Sequence, residues 1–276
     1  MKPLLIVPPA PARWNSMGNL YAEALPDAWR ADMEERFARG VGGQDAFAAI
    51  VDGGHVLSAA WFTKSGAHGF LGHILTRSDH RRQGLACGVV TTLLAWFDMV
   101  GGKCAHTSCA DSGAQSLLAS AGFSVLHASE LNTVLVRGAA TSRLADTADA
   151  APRIRELSRA DWPQMFALLQ RAPGPDPRVS LRESALSAEA TLLEWLAQRS
   201  RGVTAMLGAF HDDELSGIAT CAIDQLGQRT YAMTLPHGIW TDVAPLRAAV
   251  VDFAKTRGYE QVDFPMDALA PAGAGV

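Results

Sequence analysis

Residues 79–88 read DHRRQGLACG, and the reading of the whole chain turns on this stretch. His80, Arg81 and Arg82 stand before Gln83-Gly84, and an apolar run follows. Upstream, GFLGHILT (69–76) reads as a strand. Downstream, Leu85, Val89, Leu93, Trp96 and Val100 recur at helical spacing over 84–100, and Gly101-Gly102 close the helix. A strand that turns through glycine into a helix aims the unpaired first-turn amides at one point. The helix dipole adds partial positive charge there. A phosphate or pyrophosphate suits that point. Gly84 lets the anion reach the backbone, Ala86 keeps the next turn small, and Arg81 and Arg82 supply charge in a form suited to oxyanions. A solvated loop around a turn glycine fits the same spacing, so on spacing alone both readings stand.

Working outward, AFAAIV (46–51) and VLSAAWF (56–62) flank DGGH, a strong hairpin signal, and lead into the strand 69–76. Before them, 15–25 and 26–40 read as two helices, the second with Trp29, Met33 and Phe37 on one face and Gly40 as its stop. After the central helix come a strand (103–109), a short helix ending at Gly122, and a hairpin-like pair (124–137). Residues 138–152 lose periodicity and are the linker candidate. Beyond it, RIREL reads as a strand and SRADWPQMFALLQ as a helix with a Ser158–Asp161 capping box. A hairpin follows over 205–223, then a strand (230–235), a helix (242–257) and a strand (260–264). The second half echoes the element order of the first. At an offset of 156, Phe97 and Gly102 fall on Phe253 and Gly258.

Composition narrows the classes. With 48% apolar residues among 276, a sizeable core is expected and disorder is not. A formal charge of −4 argues against a nucleic-acid or anionic-membrane binder. Cys87, Cys104, Cys109 and Cys221 are too scattered for a disulfide framework, and no Cys/His spacing reads as a zinc site, so no metal is expected. The apolar run KPLLIV is cut short by PPAPA, too early for a signal peptide, and no stretch nears the roughly 18 apolar residues that span a bilayer. The expectation is a cytoplasmic protein.

Two patches together resemble a known family. Arg81-Arg82-Gln83-Gly84-Leu85-Ala86 is similar to the Q/R-x-x-G-x-G/A signature of the GNAT superfamily of acyl-CoA-dependent N-acyltransferases. In DSGAQSLLASAGF, Ala114, Leu117, Gly122 and Phe123 match the family pattern N-x-x-A-x-x-L-Y-x-x-x-G-F in spacing and type. The resemblance covers residues 40–137 well and 1–39 loosely. It implies that the amides of Arg82 to Ala86 (Arg82, Gln83, Gly84, Leu85, Ala86), with Arg81 beside them, cradle the CoA pyrophosphate. It implies too that the pantetheine arm pairs like an added strand along Leu75 and Thr76, in a gap where strands 69–76 and 103–109 splay. Pantetheine is a pseudo-peptide, so a free strand edge satisfies its amides. The implied reaction is direct attack of a substrate amine on the acetyl-CoA thioester.

The chain departs from the family twice. The Asn that opens the second patch is Asp111, which accepts hydrogen bonds but does not donate them when ionised. The Tyr that usually protonates the departing thiolate is Leu118. General acid catalysis is typically worth roughly 10²–10⁴-fold, and a thiolate with a reference pKa of about 8.5 leaves tolerably without it. Cys109, His106 and Ser108 on the adjacent strand are the possible substitutes, Cys109 foremost. His73 stands where family members often place a base, and a histidine suits that task. His80 reads as a phosphate or solvent contact. For each of these an ordinary structural role is the competing reading.

The second half carries no signature. The same offset places Trp240 at Gly84 and Asp242 at Ala86, which would fill and repel an anion. It reads as a copy that does not bind CoA, with Trp162, Trp195, Trp240 and Phe264 in its core and His237 and Asp242 as weak site candidates. The resulting expectation is a mixed α/β (α+β) chain. A GNAT-like domain spans 1–140, with a mostly antiparallel sheet splayed at the CoA site. A linker spans 141–152, and a degenerate GNAT-like unit spans 153–276. CoA-binding residues include Leu75, Thr76, Asp111 and Ala114 beside the loop, and His73 and Cys109 are the catalytic candidates. The acceptor is a small-molecule amine, and a homodimer is left open. The alternative is a non-catalytic acyl-CoA-binding or scaffolding module.

Overall fold

The hairpin signal at DGGH is the simplest place to see sequence become structure. Strands β2 (Gln44–Asp52) and β3 (His55–Ser65) pair in register through Asp52↔His55, leaving Gly53-Gly54 as a two-residue turn. Both glycines have positive φ, +53° and +83°, as a turn matching the right-handed strand twist requires. In this computed structural model the described residues are 1–40, 44–128, 133–138, 151–171, 197, 204–223, 230–236, 244–258 and 262–263. They fall into two compact units.

The first unit is built on a seven-stranded sheet ordered β1-β2-β3-β4-β5-β7-β6. Besides β2 and β3 it contains β1 (Leu4–Ile6), β4 (His68–Thr76), β5 (Cys104–Cys109), β6 (Ser124–Ala128) and β7 (Thr133–Gly138). Every neighbouring pair is antiparallel except β4 and β5. Those two run parallel because helix α3 (Leu85–Met99) carries the chain across one face between them. Val89, Val90, Leu93, Leu94 and Phe97 of α3 bury against Ala46, Ala48, Ala60, Phe62, Leu71 and Ala105. The alanines keep the sheet low enough for α3 to lie close. Gly69 carries the same logic furthest, since a Cβ there would sit 2.4 Å from Phe62 and 2.7 Å from Phe97.

Helices α1 (Trp14–Ala24) and α2 (Asp27–Arg39) belong to the other face. Trp29, Met33 and Phe37 are buried as their spacing predicts, Phe37 lies 4.0 Å from the Phe47 ring, and Gly40 ends α2 at φ +66°. Strand β1 was not foreseen, because KPLLIV is too short to show a period. Helix α4 (Ser112–Ser120) returns the chain to β6 and β7, the expected hairpin.

Residues 159–167, expected with the second domain, pack with the first unit. Trp162 and Phe166 bury their rings against Phe70, at 5.8 and 4.9 Å, and Arg159 pairs with Asp32 at 2.9 Å. After Ser158 comes a 3-10 turn (Arg159–Asp161), and helix α5 begins only at Trp162 and runs to Arg171.

In the second unit β8 (Arg153–Glu156), β9 (Thr204–His211), β10 (Glu214–Ile223), β11 (Thr230–Pro236) and β12 (Val262–Asp263) form a sheet ordered β12-β11-β10-β9-β8. Its pairs are antiparallel except β11 and β12, which flank helix α6 (Ala244–Thr256). Leu246 and Val250 of α6 bury on Ala205, Leu207, Ala209 and Ala219. Strand for strand, β8 to β12 repeat the order and directions of β1 to β5. The echo read from element order is therefore present as topology. Trp195, His237, Trp240, Asp242 and Phe264 lie outside the described residues, and Trp162 is core, though of the first unit.

Candidate functional site

One backbone irregularity organises the site. Along β3 and β4 the register passes Ala59↔Leu75 and resumes at Trp61↔Gly72, so His73 and Ile74 oppose the single residue Ala60. This is a β-bulge, and His73 takes the left-handed conformation, φ +50°, which costs a non-glycine residue roughly 1–2 kcal/mol. A bulge bends its strand. Parallel pairing of β4 with β5 begins at His68↔Cys104 and ends at Leu71↔Thr107, just before it. Past that point residues 72–76 keep β3 on one side, while Ser108 and Cys109 pair with β7. The two strands part, and among the described residues the far edge of β4 is left without a strand partner.

Leu75 and Thr76 occupy that edge. The Leu75 carbonyl accepts from Ser58 Oγ at 2.9 Å, and Ser58 Oγ lies 2.9 Å from Thr76 Oγ1, which fixes the strand end. A 3-10 turn (Ser78–His80) leads into the loop. Arg82 and Gly84 both adopt positive φ, +61° and +77°, and Gly84 is the residue before α3. No side chain caps α3 and no acidic residue sits in its first turn, so the amides of Leu85, Ala86 and Cys87 open toward the loop. Arg81 reaches only the Thr76 carbonyl, at 3.4 Å, and Arg81 and Arg82 make no ion pair among the described residues. His80 is committed to Asp79 at 2.7 Å, and Arg77 to Glu23 at 3.3 Å. The charge left over in the loop is thus that of the two arginines the sequence singled out.

Asp111 is spent locally. It is the N-cap of α4, its carboxylate accepting from the amides of Gly113 and Ala114. Ala114 lies in the first turn of α4. Leu118 is fully buried in the α3-side core, and Cys109 packs on the edge of that core. Burial, with Asp111 adding to it, pushes the Cys109 thiol up, so it holds its proton at neutral pH. That is wrong for a nucleophile but compatible with an acid. His106 is buried three residues earlier, on the opposite face of β5, beside Phe166 at 5.9 Å. It therefore does not share a site with Cys109.

His73 sits among aromatics: stacked on Trp61 at 5.5 Å, with Trp29 at 5.0 Å and Tyr21 at 6.5 Å edge-on. Burial, with nearby Arg36 reinforcing it, pushes its pKa down to about 4. At neutral pH it is an uncharged imidazole that accepts a hydrogen bond well and holds a proton poorly.

The sequence reading missed what stands behind His73. Arg36 Nε donates to Asp32 at 2.7 Å, and Arg36 Nη1 and Trp61 Nε1 both donate to Asp45 Oδ1 at 3.0 Å. Burial works against the Arg36 charge, but Asp45 and Asp32 outweigh it and hold its pKa above the ordinary value. Tyr21 Oη, Asp45 Oδ2 and His73 Nε2 are buried with no hydrogen-bond partner among the described residues. Buried polar atoms rarely stay so without a water or ligand. The only sequence signal was the DxxxR spacing on α2, which reads equally as a surface pair.

Set beside known proteins, residues 14–123 match the acetyltransferase (GNAT) family. These residues form a GNAT acetyltransferase domain, which takes up less than half of the chain. No curated protein matches it significantly. Among solved structures it is similar to the PaiA N-acetyltransferase of Thermoplasma acidophilum in complex with coenzyme A. That match has 7% identity and a TM-score of 0.38, and covers 50% of this chain and 100% of that one. It is also similar to the ribosomal-protein-S18-alanine N-acetyltransferase of Escherichia coli, at 13% identity and TM-score 0.41, covering 51% and 98%. A tandem GNAT protein from the clavulanic acid biosynthesis pathway aligns over 97% of this chain and 93% of its own, at 14% identity and TM-score 0.39. Among the described residues no helix is long and apolar enough to cross a membrane.

Proposed function

We propose that the chain is a cytoplasmic, acetyl-CoA-dependent N-acetyltransferase that acts on a small-molecule amine. The observation that carries this reading is the coincidence of two openings: the gap between β4 and β5 past Leu71↔Thr107, and the uncapped α3 N-terminus beyond Gly84. In this reading the amides from Arg82 to Ala86, with Arg81 beside them, bind the pyrophosphate, and the edge at Leu75 and Thr76 pairs with pantetheine. The amine enters on the α1–α2 side, near His73. Its nitrogen attacks the thioester carbonyl, a C–N bond forms, the C–S bond breaks, and the thiolate leaves. The attacking amine must arrive neutral. His73 accepts a hydrogen bond from it at Nε2 but, with a pKa of about 4, is a weak final proton acceptor, so water carries the proton away. Cys109, protonated at neutral pH, is the donor to the thiolate.

The second unit, in this reading, is a GNAT-like copy that has lost CoA binding, with Trp240 and Asp242 at the positions of Gly84 and Ala86. Release of CoA from acetyl-CoA across a panel of primary amines tests the proposal, with turnover by at least one amine expected. The buried Leu118, where the family has its Tyr acid, favours a second reading: a module that binds acyl-CoA without turning it over. Tight CoA binding with no release across the whole panel decides for that module.

A further inference from the structure

Away from the cofactor loop, three side chains with metal-binding chemistry meet inside the first unit. His68 opens β4 and pairs directly across the parallel ladder with Cys104, the first residue of β5. His106 lies two residues on and so points to the same face as Cys104. All three are buried, at 4%, 2% and 2% exposure, and their ligand-capable atoms lie within 4.8 Å of one another. Cys104 Sγ is 4.0 Å from each ring nitrogen of His106, and the two imidazole rings are nearly parallel, at 6.5 Å and 20°. Phe166 and Phe70, 4.9 Å apart, pack at this face, with Phe166 5.9 Å from His106.

We propose that His68, Cys104 and His106 form a buried zinc site, with a water as the fourth donor that completes the tetrahedron. The donor set is two imidazoles and one thiol, borderline to soft, which suits Zn²⁺ and not the oxygen-seeking Mg²⁺ or Ca²⁺. With Zn–S near 2.3 Å and Zn–N near 2.0 Å, a tetrahedral ion holds its donors roughly 3.5 Å apart, so modest rotamer adjustments close the present cluster around one ion. On binding, the Cys104 S–H gives its proton to solvent and the thiolate bonds the metal. The site lies at the first rung of the short β4–β5 ladder, the end away from the splay. An ion there ties the two strands together three rungs before the gap opens past Leu71↔Thr107 and leaves the gap itself free. It departs from the expectation that the chain holds no metal. Cys-x-His alone carries no zinc signature, and the third ligand lies 36 residues upstream, so only the parallel pairing reveals it.

The test is titration of the full chain, stripped with chelator, first with Zn²⁺ against a competing indicator and then with Co²⁺ as a coloured substitute. One equivalent should bind. Co²⁺ should show a thiolate charge-transfer band and the intense d–d bands of a tetrahedral ion, and Zn²⁺ should raise the melting temperature. Cys104→Ser and His106→Gln should each weaken binding by roughly 100-fold or more. Because either variant could fail to fold, a triple Cys87→Ser, Cys109→Ser, Cys221→Ser chain keeps Cys104 as its sole thiol and should retain the full cobalt spectrum. Loss of the thiolate band in that chain, or no stoichiometric binding by the wild type, overturns the proposal.

Discussion

The imidazole of His73 lies stacked on the indole of Trp61, with ring centroids 5.5 Å apart and planes 20° from parallel. Trp61 in turn donates to Asp45, which also holds Arg36. A histidine placed there pays for its proton in lost solvation, and the guanidinium adds to the cost. Its pKa falls from 6.5 to about 4. With the folded pKa below the unfolded one, the unfolded chain binds the extra proton first. Stability is therefore full above pH 6.5 and declines as pH falls toward 4, by roughly 3 kcal/mol in all. Urea unfolding across that window should show the decline, and His73→Gln should flatten it. An imidazole NMR titration near 6.5 would contradict the burial argument.

Gly84 separates two effects that are often confounded. A Cβ there meets nothing within 4 Å, so a substitution clashes with no protein atom, but φ is +77°. Gly84→Ala should cost about 1 kcal/mol of stability from backbone strain. Its methyl group would stand where the anion approaches, so CoA affinity should drop at least tenfold. Calorimetry beside thermal melts reads both. Unchanged affinity would place the pyrophosphate elsewhere.

The two ion-pair systems of the first unit should behave oppositely. Asp45→Ala strips the buried Arg36 and the Trp61 N–H of an acceptor, and breaking such a buried pair costs roughly 3–5 kcal/mol. Asp98→Ala removes the bidentate pair to Arg137, 2.8 Å but half-exposed, and should cost about 1 kcal/mol or less. Equal losses in urea unfolding would refute the contrast.

Cys109→Ala tests the proton donor. If the thiol protonates the departing thiolate, kcat should fall by roughly 10²-fold or more while acetyl-CoA affinity holds. An unaltered kcat would leave solvent as the donor.

Much of the first unit was legible because its signals are local. DGGH makes its turn by glycine φ alone, and the α3 stripe and DHRRQGLACG sit within one strand–loop–helix passage. What escaped depends on pairing between distant segments. The bulge falls on His73, which bears the positive φ itself, and Gly72 beside it reads as an ordinary strand position. The Arg36–Asp45–Trp61 network joins α2, β2 and β3, and His68 meets Cys104 only through a parallel ladder. Asp111 illustrates the opposite case: the pattern marked its position for the cofactor and gave no sign that its carboxylate caps helix α4. The packing of residues 159–167 with the first unit escaped for the same reason as the network. Trp162 and Phe166 fit either core by pattern, and only the ring of Phe70 settles which.

The central claim is that the β4–β5 gap and the loop ahead of α3 together hold an acyl-CoA. Calorimetric titration of acetyl-CoA into the full chain tests it most directly. The account predicts one site per chain, weakened by added salt because Arg81 and Arg82 contribute charge, and weakened again in Gly84→Ala. The absence of binding heat up to millimolar acetyl-CoA, in a chain that melts cooperatively, would contradict it.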